Sequence, residues 1–155
     1  MNFKPSMQSP EELAAKKPRY KLVSDFMVPV NLLVSFRPDQ PIREVIDTII
    51  EHGISGGPVL DEHKNLVGFI SEKDCLRLLV DEAYHNLPAS TRTAADYMTA
   101  KVQSLPPAAD LVEAANAFLS SPVRRLPVVD NGKLLGQVSR RDVLKAAQAM
   151  ARTSW

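Results

Sequence analysis

The feature that most constrains this chain is that its sequence is written twice. Asp25-Phe26-Met27 is matched by Asp96-Tyr97-Met98, and Pro38 by Pro107. Further on, Pro58-Val59-Leu60-Asp61 is matched by Pro127-Val128-Val129-Asp130, and Gly68-x-x-Ser71-x-x-Asp74 by Gly136-x-x-Ser139-x-x-Asp142. Twenty positions separate Pro38 from Pro58, and twenty separate Pro107 from Pro127. A repeat that keeps both order and spacing predicts one structural unit made twice. A unit this small cannot bury a core alone, so the two copies are expected to pack on each other.

Periodicity assigns the elements within each copy. Ile42, Val45, Ile46, Ile49 and Ile50 fall at the i, i+3, i+4, i+7 and i+8 offsets of a helix with one apolar face. Leu111, Ala114, Ala115, Phe118 and Leu119 occupy the same offsets behind Asp110, a residue suited to cap a helix. The runs PVLD and LPVVD are β-prone; each is followed by turn residues, Glu62 to Asn65 or Asn131-Gly132, and then by LVGFIS or KLLGQVS. Each pair reads as a hairpin. A last helix follows, opened by Ser71 or Ser139. The expected order in each copy is short helix, strand, helix, strand, strand, helix, a mixed α/β (α+β) fold. The chain divides into a polar tail (1–20), a first repeat (21–84), a linker (85–92), a second repeat (93–150) and a C-terminal tail (151–155).

Composition works by exclusion. Lys and Arg number 19 against 18 Asp and Glu, so no global field exists to hold a nucleic acid or an anionic bilayer. With 45% hydrophobic residues the chain has enough apolar side chain for a core. The single cysteine, Cys75, forbids an intrachain disulfide and points to a reducing compartment, with the cytoplasm expected. The first twenty residues lack the apolar stretch of a signal peptide, and no run approaches the roughly 18 apolar residues of a membrane span. His52, His63 and His85 have no ligand spacing, and no H-x-x-x-H, C-x-x-C or Walker-type phosphate loop occurs. No catalytic or metal-ligating set is expected, and Cys75 reads as a small core residue.

Together, D-[FY]-M, P-V-x-D and G-x-x-S-x-x-D resemble the pattern of cystathionine-β-synthase (CBS) domains, over roughly residues 22–150. The resemblance implies a β-α-β-β-α unit repeated about a pseudo-twofold axis, the tandem arrangement known as a Bateman module, commonly assembled as a homodimer. It implies clefts between the repeats that bind AMP, ADP, ATP or S-adenosylmethionine as a regulatory ligand, no required cofactor, and a signal passed to a separate regulated protein. A second reading stays open, in which both clefts are empty and the module is an interaction scaffold. The tail, Met150 and Trp155 would then matter most.

The residues carry groups that such ligands need. An ionised carboxylate accepts both hydroxyls of a ribose, and Asp74 and Asp142 are the candidates. Ser71 and Ser139 cap the same helices, and capping alone would also account for both Ser-x-x-Asp pairs. For phosphate the second copy is richer, with Arg124, Arg125, Arg140 and Arg141, where the first offers Lys73. By family analogy the adenine slot lies near Val30 to Leu32 in the first copy and Thr99 to Val102 in the second, with Pro58 and Pro127 nearby. The first copy departs from the family spacing. Eleven positions run from Met27 to Pro38 but nine from Met98 to Pro107, so two extra residues fall around Pro29 to Leu33. That places the favoured site in the second copy, around Ser139 and Asp142, and predicts that Asp142→Ala weakens binding more than Asp74→Ala.

Overall fold

The computed structural model describes residues 20–86 and 91–153. Most of the N-terminal tail, residues 87–90 of the linker with Pro88, and Trp155 lie outside the described residues. The first copy runs α1 (Val23–Phe26), β1 (Val28–Pro29), a 3-10 turn (Val30–Leu32), α2 (Ile42–His52), β2 (Gly56–Leu60), β3 (Leu66–Ser71) and α3 (Glu72–Tyr84). The second runs α4 (Ala94–Tyr97), α5 (Leu111–Leu119), β4 (Arg125–Asp130), β5 (Lys133–Ser139) and α6 (Arg140–Thr153).

The periodic helices form where local sequence directs them. α2 buries Ile42, Val45 and Ile49 and stops at Gly53, whose φ of 60° lets its N–H reach the carbonyls of Ile49 and Ile50. α5 buries Leu111, Ala114 and Phe118, and the Asp110 carboxylate accepts from the Glu113 N–H at 2.9 Å. The last residue of each predicted stripe turns outward instead: Ile50 is 72% exposed and Leu119 85%. The predicted strand between the first two helices of each copy also shrinks. It survives as the two-residue β1 and a single bridged residue, Phe36 beside Val59, in the first copy, and as two bridged residues, Thr99 beside Phe69 and Leu105 beside Val128, in the second; the Phe36 and Leu105 bridges are parallel. The Phe36 and Leu105 N–H groups donate to the Pro58 and Pro127 carbonyls, each at 2.9 Å. Nearby prolines without an N–H (Pro38 and Pro41; Pro106 and Pro107) keep either ladder from lengthening.

Each copy lends its opening helix to the other. Val23, Phe26 and Met27 pack against a core built from Leu105, Leu111, Leu126, Val128 and Val138 of the second copy. Ala94, Tyr97 and Met98 pack against Phe36, Ile42, Val45, Val59 and Ile70 of the first. The backbone follows: Val23 N–H donates to the Ala109 carbonyl at 2.8 Å, and Ala94 N–H to the Gln40 carbonyl at 2.9 Å. β1 pairs antiparallel with β5, giving a three-stranded sheet in the order β1-β5-β4, while Thr99 bridges to Phe69 beside the β2-β3 pair.

This exchange explains why both hairpins carry a glycine before the Ser. A Cβ on Gly68 would stand 2.5 Å from the Met98 sulfur, and one on Gly136 2.5 Å from the Val28 carbonyl oxygen and 2.7 Å from the Met27 sulfur. The Met of one motif therefore occupies the space vacated by the Gly of the other, across the two copies. Neither core is complete without residues from both.

Candidate functional site

Two clefts open between the copies, each at the start of a closing helix. At α3 the Ser71 hydroxyl accepts from the Asp74 N–H at 3.2 Å, while Asp74 Oδ2 accepts from the Ser71 N–H at 2.9 Å and from its hydroxyl at 3.0 Å. At α6 the Ser139 hydroxyl accepts from the Asp142 N–H at 3.1 Å, and Asp142 Oδ2 accepts from the Ser139 N–H at 2.9 Å. Capping thus accounts for both Ser-x-x-Asp pairs, yet in each it uses a single carboxylate oxygen. Oδ1 takes no part in the box. Asp74 is only 9% exposed; Asp142 is half-buried.

The larger cleft has a volume of about 520 Å³ and joins Phe69, Ser71 and Asp74 of the first copy to Thr99, Val102 and Pro127 of the second. Five cations line it: Lys73, Arg77, Lys101, Arg124 and Arg125. All five are exposed, and among the described residues none is held in an ion pair. The smaller cleft, about 290 Å³, joins Gln137, Ser139 and Asp142 of the second copy to Val28, Leu32 and Pro58 of the first. Its sole cation is Arg125, which borders both clefts.

The structure therefore regroups the residues singled out by sequence. Arg124, Pro127, Thr99 and Val102 line the cleft of Asp74, not that of Asp142; Thr99 reaches it because the segment after the D-[FY]-M motif crosses to the opposite hairpin and bridges to Phe69. Ser71, Lys73 and Asp74 belong with them. Ser139, Asp142, Pro58 and Leu32 form the other cleft. Arg140 lines neither, since its guanidinium donates to the Val123 carbonyl at 3.1 Å and ties down the loop ahead of β4. Arg141 lines neither cleft either. The two extra residues fold into the 3-10 turn, whose Leu32 helps wall the cleft that holds Asp142. The cleft-lining cations singled out by sequence are thus gathered at the cleft that holds Asp74, with Arg125 shared between the two.

Several lining residues escaped the sequence reading. Arg77 sits three positions after Asp74 on α3, the spacing that puts two side chains on one helical face. Phe69 and Gln137 alternate with the core residues Ile70 and Val138, so strand periodicity sends them to the opposite, inter-copy side. The backbone N–H and carbonyl of Thr99 are both spent on Phe69, at 2.9 Å each. Cys75 packs against the first core, and burial, with Asp74 and Glu72 adding negative charge, pushes its thiol up to about 11. Among the described residues no group of His, Cys, Asp and Glu is arranged to hold a metal, and no helix is long and apolar enough to cross a membrane.

Comparison with known proteins agrees with this architecture. The chain is 28% identical to the uncharacterized protein MJ1225 of Methanocaldococcus jannaschii, over 73% of this chain and 39% of that one. It is 32% identical to the inosine-5'-monophosphate dehydrogenase of Aquifex aeolicus, over 72% of this chain and 22% of the enzyme. The chain thus spans well under half the length of these two relatives. Among solved structures, CBSX2 of Arabidopsis thaliana in complex with AMP superposes with a TM-score of 0.74 at 33% identity, covering 84% of this chain and 98% of that one. The CBS domain model matches residues 23–81 and again 94–149. With a tandem match over most of its length, this chain belongs to the CBS domain family.

Proposed function

We propose that the chain is a regulatory module whose larger cleft binds an adenine nucleotide. One observation carries this reading: a nearly buried carboxylate, Asp74, keeps an oxygen outside its capping box at the edge of a cleft that Arg124 and Arg125 line from the other copy. A ribose diol suits the carboxylate, and phosphate oxygens suit paired guanidinium groups. Phe69, Val102 and Pro127 offer the apolar surface a purine needs. Support also comes from CBSX2, whose structure holds AMP. AMP, ADP and ATP fit this chemistry; S-adenosylmethionine, which lacks phosphate, uses fewer of the cations.

A ligand in this position touches both copies at once, so it favours one arrangement of the copies over others. We assign the output to a separate protein, with no chemistry performed by the module itself, and place the module in a reducing compartment such as the cytoplasm. Leu76, Leu79 and Tyr84 on α3 and Leu144 on α6 are exposed by 62%, 65%, 82% and 67%, and we assign them to a homodimer contact. Isothermal calorimetry with AMP, ATP and S-adenosylmethionine, alongside a mass measurement in solution, tests the reading. Saturable heat with a phosphorylated ligand supports the sensor; a dimer that gives no heat with any of the three leaves the interaction scaffold in its place.

A further inference from the structure

We infer that the chain pairs with a second copy of itself antiparallel, the α2-α3 face of each chain lying on the α5-α6 face of the other. The inference rests on the homodimer contact assigned above and adds to it which surfaces meet.

α3 is apolar on two sides. Leu78 is buried in the first core, while Leu76, Leu79, Val80 and Ala83, at i, i+3, i+4 and i+7, form a second stripe that is exposed. Ile50 of α2, the helix tied to α3 by the Arg43–Glu82 ion pair, is exposed as well. An apolar surface of this kind calls for cover. On α6 the equivalent positions are Leu144, Ala147, Gln148 and Ala151. Where the first copy presents a row of bulky side chains, the second therefore presents mostly small or polar ones. Two first-copy faces would crowd large side chains together, and two second-copy faces would leave gaps. Unlike faces set large against small, the arrangement that fills space.

Charge selects the same pairing. Apart from the capping Asp74 and Asp142, α2 and α3 carry six carboxylates and three cations, whereas α5 and α6 carry one carboxylate and four cations. Local partners sharpen the contrast. Of the three first-copy cations, Arg43 is paired with Glu82, and Lys73 and Arg77 line the larger cleft. Glu44, Asp47, Glu51 and Glu72 are exposed and, among the described residues, held in no ion pair. The same is true of Arg141, Lys145 and Arg152 on α6, which line neither cleft. Like faces would oppose acid to acid and base to base. Unlike faces oppose acid to base, and twofold symmetry makes that contact twice. In this pairing α3, which brings Asp74 and Arg77 to the larger cleft, rests on the partner's α6, so a nucleotide bound by one chain bears on the second copy of the other.

Sedimentation of the full chain without nucleotide, over a range of protein and sodium chloride concentrations, tests this. The dimer is expected to loosen as salt rises, because screening removes an attraction. The Lys145→Glu, Arg152→Glu double variant is expected to dissociate about tenfold more readily, the order of two exposed ion pairs turned into like-charge contacts. Adding Asp47→Lys and Glu51→Lys to that variant should restore most of the affinity. All four positions are exposed, so circular dichroism should show the parent fold throughout. Pairing of like faces predicts the opposite signs: a dimer that tightens with salt, or in the Lys145→Glu, Arg152→Glu variant, overturns the inference and leaves the homodimer contact standing. A dimer indifferent to both charge reversal and salt overturns it equally. A chain that stays monomeric at every concentration sinks the homodimer contact itself, and this inference with it, without touching the nucleotide reading of the larger cleft.

Discussion

The two clefts begin from the same capping turn and end as different receptors. Ser71-Asp74 and Ser139-Asp142 share the same pair of backbone capping bonds, yet one pair looks onto five cations and a phenyl ring, the other onto aliphatic side chains, a carboxamide and the shared Arg125. The motif itself does not set the difference. Part of it arises because each turn is completed by residues of the other copy, and those stretches have diverged: Ser55 and Gly56 occupy the positions that Arg124 and Arg125 hold in the second copy, while Phe69, Lys73 and Arg77 or Gln137 add the rest from the carboxylate's own copy. A duplicated fold with exchanged segments can thus specialise one cleft by changing the copy that does not carry its carboxylate.

The contrast is most easily broken at the two carboxylates. Asp74→Ala is expected to weaken ATP by on the order of 100-fold, the loss of a charge-assisted contact to both ribose hydroxyls, whereas Asp142→Ala should change it by less than about threefold. Calorimetry on the two variants side by side decides it, and equal losses would erase the proposed division of labour.

The cores can be compared in the same way. Val23 and Ala94 are equivalent positions, both fully buried, each in the core of the opposite copy. Val23→Ala removes two methyl groups from a filled site and is expected to cost about 2 kcal/mol, measured by urea unfolding. A negligible change would mean that α1 is not integral to the second core. A smaller effect is expected at the phosphate end: Arg124→Ala should weaken ATP by about tenfold and adenosine hardly at all, and an equal effect on both would remove Arg124 from phosphate recognition.

Much of this was legible in the sequence because it is local. The 3.6-residue stripe of α2, the Asp110 cap and the two hairpins depend on neighbours within a few positions, and each formed where the pattern placed it. The glycines were visible as a motif, but their reason was not. Gly68 is needed because Met98 lies on it, and Gly136 because the Val28 carbonyl and Met27 do; such contacts link residues far apart in the chain. The grouping of site residues failed on the same ground. Nothing in the spacing of Asp74 and Thr99 reveals that the segment after the D-[FY]-M motif crosses to the opposite hairpin and bridges to Phe69. Gln137 was hidden as an unspecified letter of G-x-x-S, although its alternation with the buried Val138 was the available signal.

The smallest expected effect separates the two cores by their response to alkali. In the first, burial together with the Asp81 carboxylate, which accepts the phenol proton at 2.7 Å, pushes Tyr97 up to about 12, and Cys75 is pushed up to about 11. In the second, the equivalent positions are Phe26 and Val143, which do not titrate. Folding favours the neutral phenol and thiol, so their folded pKa values exceed the ordinary 10.0 and 9.0. The contribution to stability is complete below pH 9.0 and is lost as pH rises, between 9.0 and about 11 for Cys75 and between 10.0 and about 12 for Tyr97. Urea unfolding at stepped alkaline pH should therefore show a decline that the Cys75→Val, Tyr97→Phe double variant, which carries the residue types of the second core at both positions, largely abolishes. If that variant loses stability as steeply as the parent, the alkaline weakness lies outside the first core, and the two cores differ in packing alone.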